Sequence, residues 1–479
     1  MSFETIIGLE IHAELKTKSK IFCGCSTEFA SEPNANTCPV CLGHPGTLPV
    51  LNGEAVRLAV KAGMALGCKV NYLNRFDRKN YFYPDLPKAY QVSQYDMPVC
   101  TDGAVEFECG GRHVKVRINR VHLEEDAGKL IHLEDEPCSL VDYNRAGIPL
   151  IEIVTEPDMR SPLEAVTFMR MLKSILEYCD ISDCRMEQGS LRCDANISVR
   201  PAGQKEFGTK VELKNINSFR ELQKALEKEE KRQIELYRFG ESHKIIQETR
   251  RWDSGKGRTV SMRSKEEAHD YRYFPEPDLP PVIIDETVVS AVKDSLPELP
   301  MEKYRRFTQE YGLSGDDADI LTGDRYLSEY FEDTVREGAA PKAAANWVLG
   351  DMLRMINESG ISSREIPVEP ACLRRLISMV EEGKISNTAG REVFREMFIN
   401  GGSPEEIVEK KGLSQISSED AILELVRKVI ADNPKSVADY RGGKTKAIGF
   451  LVGQVMKESK GRANPAMVNE LLAKELEWA

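Results

Sequence analysis

The 479-residue chain lacks any uninterrupted apolar run approaching the roughly 20 residues that a membrane-spanning helix requires. It also lacks a basic segment followed by an apolar one near its start, so we expect a cytoplasmic protein that does not contact membranes. The sequence also has fewer basic than acidic residues. The net charge of −12 argues against a general nucleic-acid coat protein, although an acidic average can hide a local basic patch.

Several catalytic signatures are also absent. The sequence has no GxxxxGK[ST] phosphate-binding loop, no HRD or DFG motif of the protein kinases and no HExxH zinc-protease motif. Internal repeats and low-complexity tracts are missing as well. Any nucleotide or metal chemistry must therefore come from residues scattered along the chain.

The pattern of apolar residues changes along the chain. Residues 1–294 contain short alternating runs such as TIIGLEIHAEL and IPLIEIVTEP, interleaved with helical stretches beginning near residues 53, 161 and 218. This predicts an α+β domain on a largely antiparallel sheet. Residues 295–402 predict a helical domain, and residues 403–479 a helical tail domain.

Four of the twelve cysteines lie close together near the start of the chain, at Cys23, Cys25, Cys38 and Cys41. Paired thiols on tight turns suit a tetrahedral Zn²⁺ site, which would be structural because four thiolates leave no open position. Reduced cysteines without a metal are the simpler alternative, and an iron–sulfur cluster is a third.

Acidic residues recur inside strand-like, largely apolar runs: Glu10, Glu14, Glu124, Glu125, Asp126, Glu152, Asp194 and Glu212. His12 shares one strand face with Glu10 and Glu14, because side chains alternate along a strand. A buried carboxylate costs several kcal/mol unless it is paired or binds a cation. Ion pairs with Arg192, Lys210 or Lys214 would offset that cost, and so would a Mg²⁺ or Mn²⁺ site built from oxygen ligands and one imidazole.

The stretch 77–96 places basic residues among tyrosines and Phe82: Arg78, Lys79 and Lys88 with Tyr81, Tyr83 and Tyr90. Such a mixture suits a phosphate and a stackable base. An ordered loop packed on its own tyrosines would have the same composition.

Nine stretches together resemble the B subunits of bacterial aspartyl/glutamyl-tRNA amidotransferases, nearly end to end and in the family's order. They are GLEIHAEL, CPVCLGHPGTLPVLN, RKNYFYPDLPKAYQVSQYD, HLEEDAGK, VDYNRAGIPLIEIVTEPD, SLRCDANISVR, VELKNINSF, DYRYFPEPDLPP and KGRANP. The resemblance implies a catalytic fold similar to the glutamine synthetase and guanido kinase group.

The resemblance also implies an activity. ATP and Mg²⁺ are used to phosphorylate the side-chain carboxylate of Glu-tRNA(Gln), Asp-tRNA(Asn) or both, and ammonia then displaces the phosphate. The ammonia comes from an amidase partner, the A subunit, and a small C subunit completes the complex. Consistent with such a partner, no nucleophile–base set for glutamine hydrolysis stands out, since Cys193 has no nearby histidine in the sequence.

The residue roles follow from the same resemblance. It implies a metal–ATP centre containing Glu10, His12, Glu125, Glu152, Asp194 and Glu212, with Glu124 as a neighbour. It implies that Lys79, Lys88 and Tyr81 face the aminoacyl end of the tRNA or the ammonia exit. Arg192 and Lys214 are candidates for phosphate contacts.

The tail carries six basic residues and one acid, Glu458, between positions 441 and 462; the basic ones are Arg441, Lys444, Lys446, Lys457, Lys460 and Arg462. Contact with a tRNA backbone is one interpretation, and a solvated helix face is the other. Two rival functions also stay open: a self-contained ligase or kinase acting on a small amino acid, and a zinc-stapled, non-enzymatic tRNA-binding adaptor.

Overall fold

The computed structural model describes residues 2–478, except residues 30, 134–135, 265–270, 416–418, 442–443, 445 and 460–461. It divides into two compact units, Met1–Glu302 and Lys303–Ala479. The predicted mixed α+β organisation of the first part and the helical character of the rest are confirmed. No helix among the described residues is long and apolar enough to cross a bilayer.

Among the described residues, the strands all belong to the first unit. They are β1 Phe3–Glu14, β2 Lys69–Val70, β3 Leu73–Asn74, β4 Asp77–Asn80, β5 Tyr90–Ser93, β6 Cys100–Cys109, β7 Arg112–Glu125, β8 Lys129–His132, β9 Ser139–Asp142, β10 Pro149–Thr155, β11 Leu191–Pro201, β12 Val211–Lys214, β13 Glu248–Asp253, β14 Arg258–Ser264, β15 Phe274–Pro275 and β16 Val282–Ile283.

The helices lie in both units. They are α1 Gly53–Ala65, α2 Pro162–Tyr178, α3 Phe219–Arg238, α4 Glu286–Asp294, α5 Pro300–Gln309, α6 Gly315–Gly323, α7 Arg325–Arg336, α8 Pro341–Trp347, α9 Leu353–Ser359, α10 Pro370–Glu381, α11 Asn387–Asn400, α12 Pro404–Lys411, α13 Glu419–Asp432, α14 Pro434–Arg441, α15 Ala447–Glu458 and α16 Pro465–Trp478. A π-helical turn, Val348–Met352, joins α8 to α9.

Nine strands form the central sheet in the order β14-β13-β12-β11-β1-β10-β7-β6-β2. Only the β12–β13 pair is parallel, so the sheet is largely antiparallel as predicted. One face is apolar, and Ile7, Leu9 and Ile11 of β1 are buried there in the same cluster as residues of α1, α2 and α3. The opposite face is left for polar side chains.

The three helices predicted near residues 53, 161 and 218 are present as α1, α2 and α3, and serine residues cap two of them. Ser161 precedes α2, and its hydroxyl accepts a hydrogen bond from the backbone N–H of Glu164 at 3.2 Å. Ser218 caps α3 in the same way through Glu221. A serine at this position satisfies an otherwise unpaired N–H of the first helical turn.

The second unit contains two hydrophobic clusters. One runs from Phe307 to Val408 and the other from Ile422 to Leu476. Helix α12 contributes Ile407 and Val408 to the first of these. The finer division of the chain at residues 294 and 402 stays a prediction.

The apolar face of β1 yields a stability prediction. Ile11 is fully buried, so Ile11→Ala removes buried methyl and methylene groups and leaves a cavity, which should cost about 2–5 kcal/mol. Ile283→Ala is the matched control because Ile283 is 76% exposed. Urea unfolding followed by circular dichroism measures both, and equal midpoints for the two variants would contradict the buried position of Ile11.

Candidate active site and metal centre

Polar side chains occupy one face of the central sheet, where neighbouring strands present them side by side. His12 of β1 lies directly opposite Glu152 of β10 and Arg192 of β11, and Glu10 lies opposite Asp194. Residues opposite each other on paired strands point to the same face. The strand pairing therefore gathers acids that are far apart in the sequence.

Two histidines and two glutamates form the centre of this face. The Nε2 atom of His12 lies 3.4 Å from a carboxylate oxygen of Glu152 and 3.6 Å from one of Glu124. The Nε2 atom of His122 lies 3.2 Å from Glu152 and 3.5 Å from Glu124. Glu124 and Glu152 are only 2% and 8% exposed. Each buried carboxylate thus has both imidazoles as neighbours.

This arrangement shifts the ionisation of all four groups. Burial alone would lower the pKa of His122, but the charge of Glu152 and hydrogen bonds to both glutamates outweigh it and raise the pKa to about 9. The pKa of His12 is raised in the same way. Burial would raise the pKa values of Glu124 and Glu152, yet the two imidazoles hold both below the usual value. Both carboxylates are therefore ionised at neutral pH.

The same group has the geometry of a metal site. One ligand atom from each of His12, Glu124 and Glu152 lies within 4.8 Å of the others. Carboxylate oxygens with one imidazole nitrogen suit Mg²⁺ or Mn²⁺. Since a coordinating imidazole must be neutral, a bound cation would replace the proton on His12.

A second group of acids lies beside the first, in a cavity of about 330 Å³ that His12 and Glu152 also line. Lys214 forms an ion pair with Asp194 and lies 3.5 Å from Glu212. Asp194 and Glu212 outweigh the effect of burial and raise the pKa of Lys214. Glu10 lines this cavity as well and accepts a hydrogen bond at 2.9 Å from Asn196. Ion pairing of these acids with Lys214 is thus observed, and the grouped carboxylates could also bind a cation.

Lys79 lines this cavity together with Tyr95, Tyr271 and Tyr273. The Lys79 ammonium lies 4.9 Å from the ring centroid of Tyr271 and 5.9 Å from that of Tyr81. Burial would lower the pKa of Lys79, but the neighbouring Tyr273 hydroxyl and the charges of Glu124 and Glu152 raise it. The Tyr273 ring stacks on that of Tyr95 at 4.5 Å. A permanent cation therefore faces the carboxylates from an aromatic wall.

Glu125 and Lys88 lie elsewhere. Alternation along β7 turns Glu125 to the opposite side from Glu124, where its carboxylate is 2.6 Å from the Lys88 ammonium. Glu125 also accepts a hydrogen bond from the backbone N–H of Val92. Both side chains line a separate cavity of about 130 Å³ beside the cysteines. The structure therefore brings Glu124, and not Glu125, to the histidines.

Arg192 forms an ion pair with Asp126, outside the histidine–glutamate group. Its guanidinium lies 2.9 Å from Asp126, which Arg145 approaches at 3.4 Å. Burial and the charge of Asp126 raise the pKa of the nearby Glu14 to about 8. Glu14 is thus protonated at neutral pH, while Asp126 is ionised because Arg192 and Arg145 overcome its burial and lower its pKa.

Another cavity, of about 300 Å³, adjoins Glu10 on the far side from the histidines. Its walls are largely apolar and include Leu9, Val154 and Phe207. Gly208 also lines it, and a Cβ atom there would lie 2.2 Å from the carbonyl oxygen of Val199, so a larger residue does not fit.

The four clustered cysteines converge as their spacing predicts. One sulfur atom from each of Cys23, Cys25, Cys38 and Cys41 lies within 4.8 Å of the others. A hydrogen bond with Cys23 and the charge of Lys20 help to lower the pKa of Cys41 to about 4. At least one thiolate is therefore available at neutral pH, and four converging sulfur ligands fit a tetrahedral ion.

Five of the six basic tail residues are described, and all five are exposed: Arg441, Lys444, Lys446, Lys457 and Arg462. Lys460 lies outside the described residues. Glu458, the one acid in this stretch, pairs with Lys428 of α13 at 2.8 Å. Lys444 pairs with Asp439 at 3.0 Å. The exposed positive charge is thus only partly balanced.

Sequence reasoning missed His122, Tyr271 and Tyr273. His122 had a readable signal, because the run VHLEE alternates in the same way as GLEIHAEL and places His122 on the face of Glu124. Tyr271 and Tyr273 had no such local signal. They reach the cavity because β15 pairs with β4, and these strands are about two hundred positions apart in the sequence.

Comparisons with known proteins agree along the chain. Residues 5–290 match the family described as the GatB/GatE catalytic domain, and residues 329–476 match the GatB domain. A Clostridium beijerinckii protein, named as the B subunit of an aspartyl/glutamyl-tRNA(Asn/Gln) amidotransferase, is 64% identical over 99% of both chains. Similar proteins from Clostridium acetobutylicum and a Thermoanaerobacter species are 61% and 57% identical over 99% of this chain and all of theirs.

The histidine–glutamate group predicts a pH dependence of stability. Since folding raises the pKa of His122 from 6.5 to about 9, its stabilising effect is complete below pH 6.5 and is lost as the pH rises towards 9. The loss should be about 3 kcal/mol in chelator-treated protein, measured by urea unfolding across this range. His122→Gln should flatten the profile. The control His132→Gln, at an exposed position, should not, and a variant profile identical to the unaltered one would refute the assignment.

Proposed function

The chain belongs to the family of B subunits of aspartyl/glutamyl-tRNA(Asn/Gln) amidotransferases, and from this membership we propose how its residues carry out the reaction. Amidation of Asp- and Glu-tRNA is the role of this family, so the chain is part of an enzyme that forms a C–N bond during protein synthesis. The finer proposal is that the side-chain carboxylate of the mischarged tRNA is phosphorylated in the cavity lined by His12, Glu152 and Lys79.

The chemistry explains why ATP is needed. A carboxylate repels an incoming nucleophile, and oxide is a poor leaving group. Phosphorylation by ATP supplies a good leaving group, which ammonia then displaces. A bound divalent cation would offset the negative charge that develops during this transfer. The chain's own residues must hold that cation and the tRNA-bound carboxylate.

The single observation that carries this proposal is the convergence of ligand atoms from His12, Glu124 and Glu152 within 4.8 Å. These three would hold one Mg²⁺. Glu10, Asp194 and Glu212 line the same cavity and are the candidates for a second. Lys214, between Asp194 and Glu212, would then contact phosphate oxygens and balance their charge.

Lys79 suits the acyl side of the site. Its ammonium faces Glu124 and Glu152 from the wall formed by Tyr81 and Tyr271. A fixed positive charge there would bind the substrate carboxylate and stabilise the anionic transition state. Arg192 was a candidate for phosphate contact, but its pairing with Asp126 supports a positioning role instead.

The apolar cavity beside Glu10 suits the adenine base of ATP. Its opening next to Glu10 would direct the phosphates towards the acids of the sheet, and the Phe207 side chain supplies a stacking surface. A nucleotide lying along an antiparallel sheet is what a fold of the glutamine synthetase and guanido kinase type would provide.

The cysteine cluster is proposed as a structural Zn²⁺ site. Four sulfur ligands close a tetrahedral shell, and no oxygen or open position remains for catalysis. Cys23 and Cys41 of the cluster line the same small cavity as Lys88 and Glu125, and we propose that this side of β7 receives ammonia.

The partners follow from the reaction. We propose that the A subunit, an amidase, supplies ammonia by releasing it from glutamine, and that a small C subunit completes a cytoplasmic complex. Mischarged tRNA is the substrate, and the exposed basic residues of the tail, Lys446 and Lys457 among them, are the proposed contact to its backbone.

Replacing Glu152 with Gln tests the metal centre. Glu152→Gln removes a charged ligand and should lower tRNA-dependent ATP hydrolysis by the purified complex at least about 100-fold, with the Kd for tRNA nearly unchanged. Glu156→Gln, just beyond the same strand and bonded to Asn119, is the matched control and should stay active. An active Glu152→Gln variant would instead favour the adaptor, and ATP hydrolysis stimulated by free glutamate without tRNA would favour the self-contained ligase.

The tail predicts a salt dependence. The double substitution Lys446→Gln and Lys457→Gln should weaken tRNA binding and reduce the slope of log K against log salt concentration by about 1.5. Binding measured by fluorescence anisotropy across a range of roughly 50 to 300 mM salt would report it, with Lys410→Gln as an exposed control outside the tail stretch. An unchanged slope would assign these lysines to a solvated face.

A further inference from the structure

Lys20 has no exposed surface at all, and it lies beside the cysteine cluster. Its ammonium donates a hydrogen bond to the carbonyl oxygen of Tyr143 at 3.2 Å and to the sulfur of Cys41 at 3.7 Å. Within the described part of the chain, no carboxylate forms an ion pair with it. Burying an ammonium without a counter-charge costs several kcal/mol, so Cys41 as a thiolate is the partner that meets this need.

The contact between Lys20 and Cys41 would also stabilise a bound metal ion, because the metal site carries a negative charge. Four thiolates around one divalent ion carry a net charge of −2. An ammonium in contact with one sulfur halves that excess, and a hydrogen bond to a ligand also fixes the ligand's orientation. The buried Lys20 and a four-cysteine metal site therefore stabilise each other.

Backbone hydrogen bonds next to Lys20 connect the cysteine loop to the central sheet. The N–H of Lys20 donates to the carbonyl oxygen of Cys25 at 3.0 Å, and the N–H of Ile21 donates to that of Gly147 at 2.9 Å. The N–H of Gly147 donates in turn to the carbonyl oxygen of Asp126 at 2.9 Å. Asp126 directly follows β7, whose last residues are Glu124 and Glu125.

The turn at Gly147 packs closely against this lysine. Gly147 has φ +82°, and a Cβ atom there would lie 3.6 Å from the Lys20 side chain and 3.7 Å from that of Cys41. The residue also lies just before β10, which carries Glu152. Lys20 thus lies where the cysteine loop contacts the ends of β7 and β10. These strands carry Glu124 and Glu152, two of the proposed Mg²⁺ ligands.

We propose that Lys20 is a positioning residue of the four-cysteine metal site, and that through its contacts with Cys41 and Tyr143 a bound zinc ion holds the 143–148 turn against the end of β7. The inference rests on the zinc assignment made under the proposed function. It adds a role for zinc in supporting the residues of the Mg²⁺ centre.

Zinc affinity of the full chain tests the first half of this inference. Lys20→Met keeps the length and apolar character of the side chain while removing its charge, and should weaken zinc binding about 10–100-fold in competition with a chromogenic chelator. Lys61→Met in α1, also at a buried lysine, is the control and should bind zinc as the unaltered chain does. The absorption of the Co²⁺-loaded protein should keep its four-thiolate intensity in Lys20→Met, with a shifted sulfur-to-metal band. Unchanged affinity and an unchanged band would overturn the role of Lys20.

Hydrogen exchange tests the second half without any substitution. Removing zinc from the unaltered chain should speed exchange at the amides of Ile21 and Gly147 at least about tenfold, while the amide of Leu313 in the second unit stays unchanged. Equal rates with and without zinc would overturn the link to β7. A chain that takes up no zinc would overturn both this inference and the zinc assignment, while leaving the amidotransferase function intact.

Discussion

The register in which β1 pairs with its two neighbours is the constraint on which the rest of the first unit depends. It sets His12 opposite Glu152 and Arg192, and it turns Leu9 and Ile11 into the core. A slip of one residue would exchange the two faces, burying the acids among aliphatic side chains and exposing the aliphatic residues. The hydrophobic effect that fixes the core therefore also fixes which side chains occupy the polar face of the sheet.

The negative charge gathered on that face is tolerated because the ionised acids have positive partners nearby. Glu124 and Glu152 are almost fully buried, and the imidazoles of His12 and His122 hold both ionised. Asp194 has Lys214, and Asp126 has Arg192. These partners differ in one respect: an imidazole can give up its proton to a competing cation at neutral pH, whereas lysine and arginine cannot. The histidine–glutamate group is thus the part of the face best suited to exchange a proton for Mg²⁺.

Much of this could be predicted from the sequence, because strand alternation and helix caps are local signals. Ser161 and Ser218 cap helices where the sequence predicts them to begin, and the alternation in GLEIHAEL put Glu10 and His12 on one face. The choice between Glu124 and Glu125 was also readable: Val121 and Leu123 are core residues, so the period of two places Glu125 with them and Glu124 opposite. The resemblance pointed to Glu125, and parity identifies Glu124 as the neighbour of His12. The aromatic wall was beyond local reasoning, because the β4–β15 pairing joins distant segments.

The adjacent pair Glu124-Glu125 has a consequence for the proposed reaction. The Glu124 carboxylate contacts His12, whereas that of Glu125 pairs with Lys88 and lines the small cavity beside the cysteines. Amidation needs an activated acyl group and a neutral ammonia molecule to meet, while water is kept from the acyl phosphate. Under the proposed function, ammonia would enter beside Glu125, on the side of β7 away from the residues proposed to hold the nucleotide. Under the proposed function, the end of β7 thus separates the site of carboxylate phosphorylation from the entry of ammonia. A shift of its backbone would disturb both steps at once.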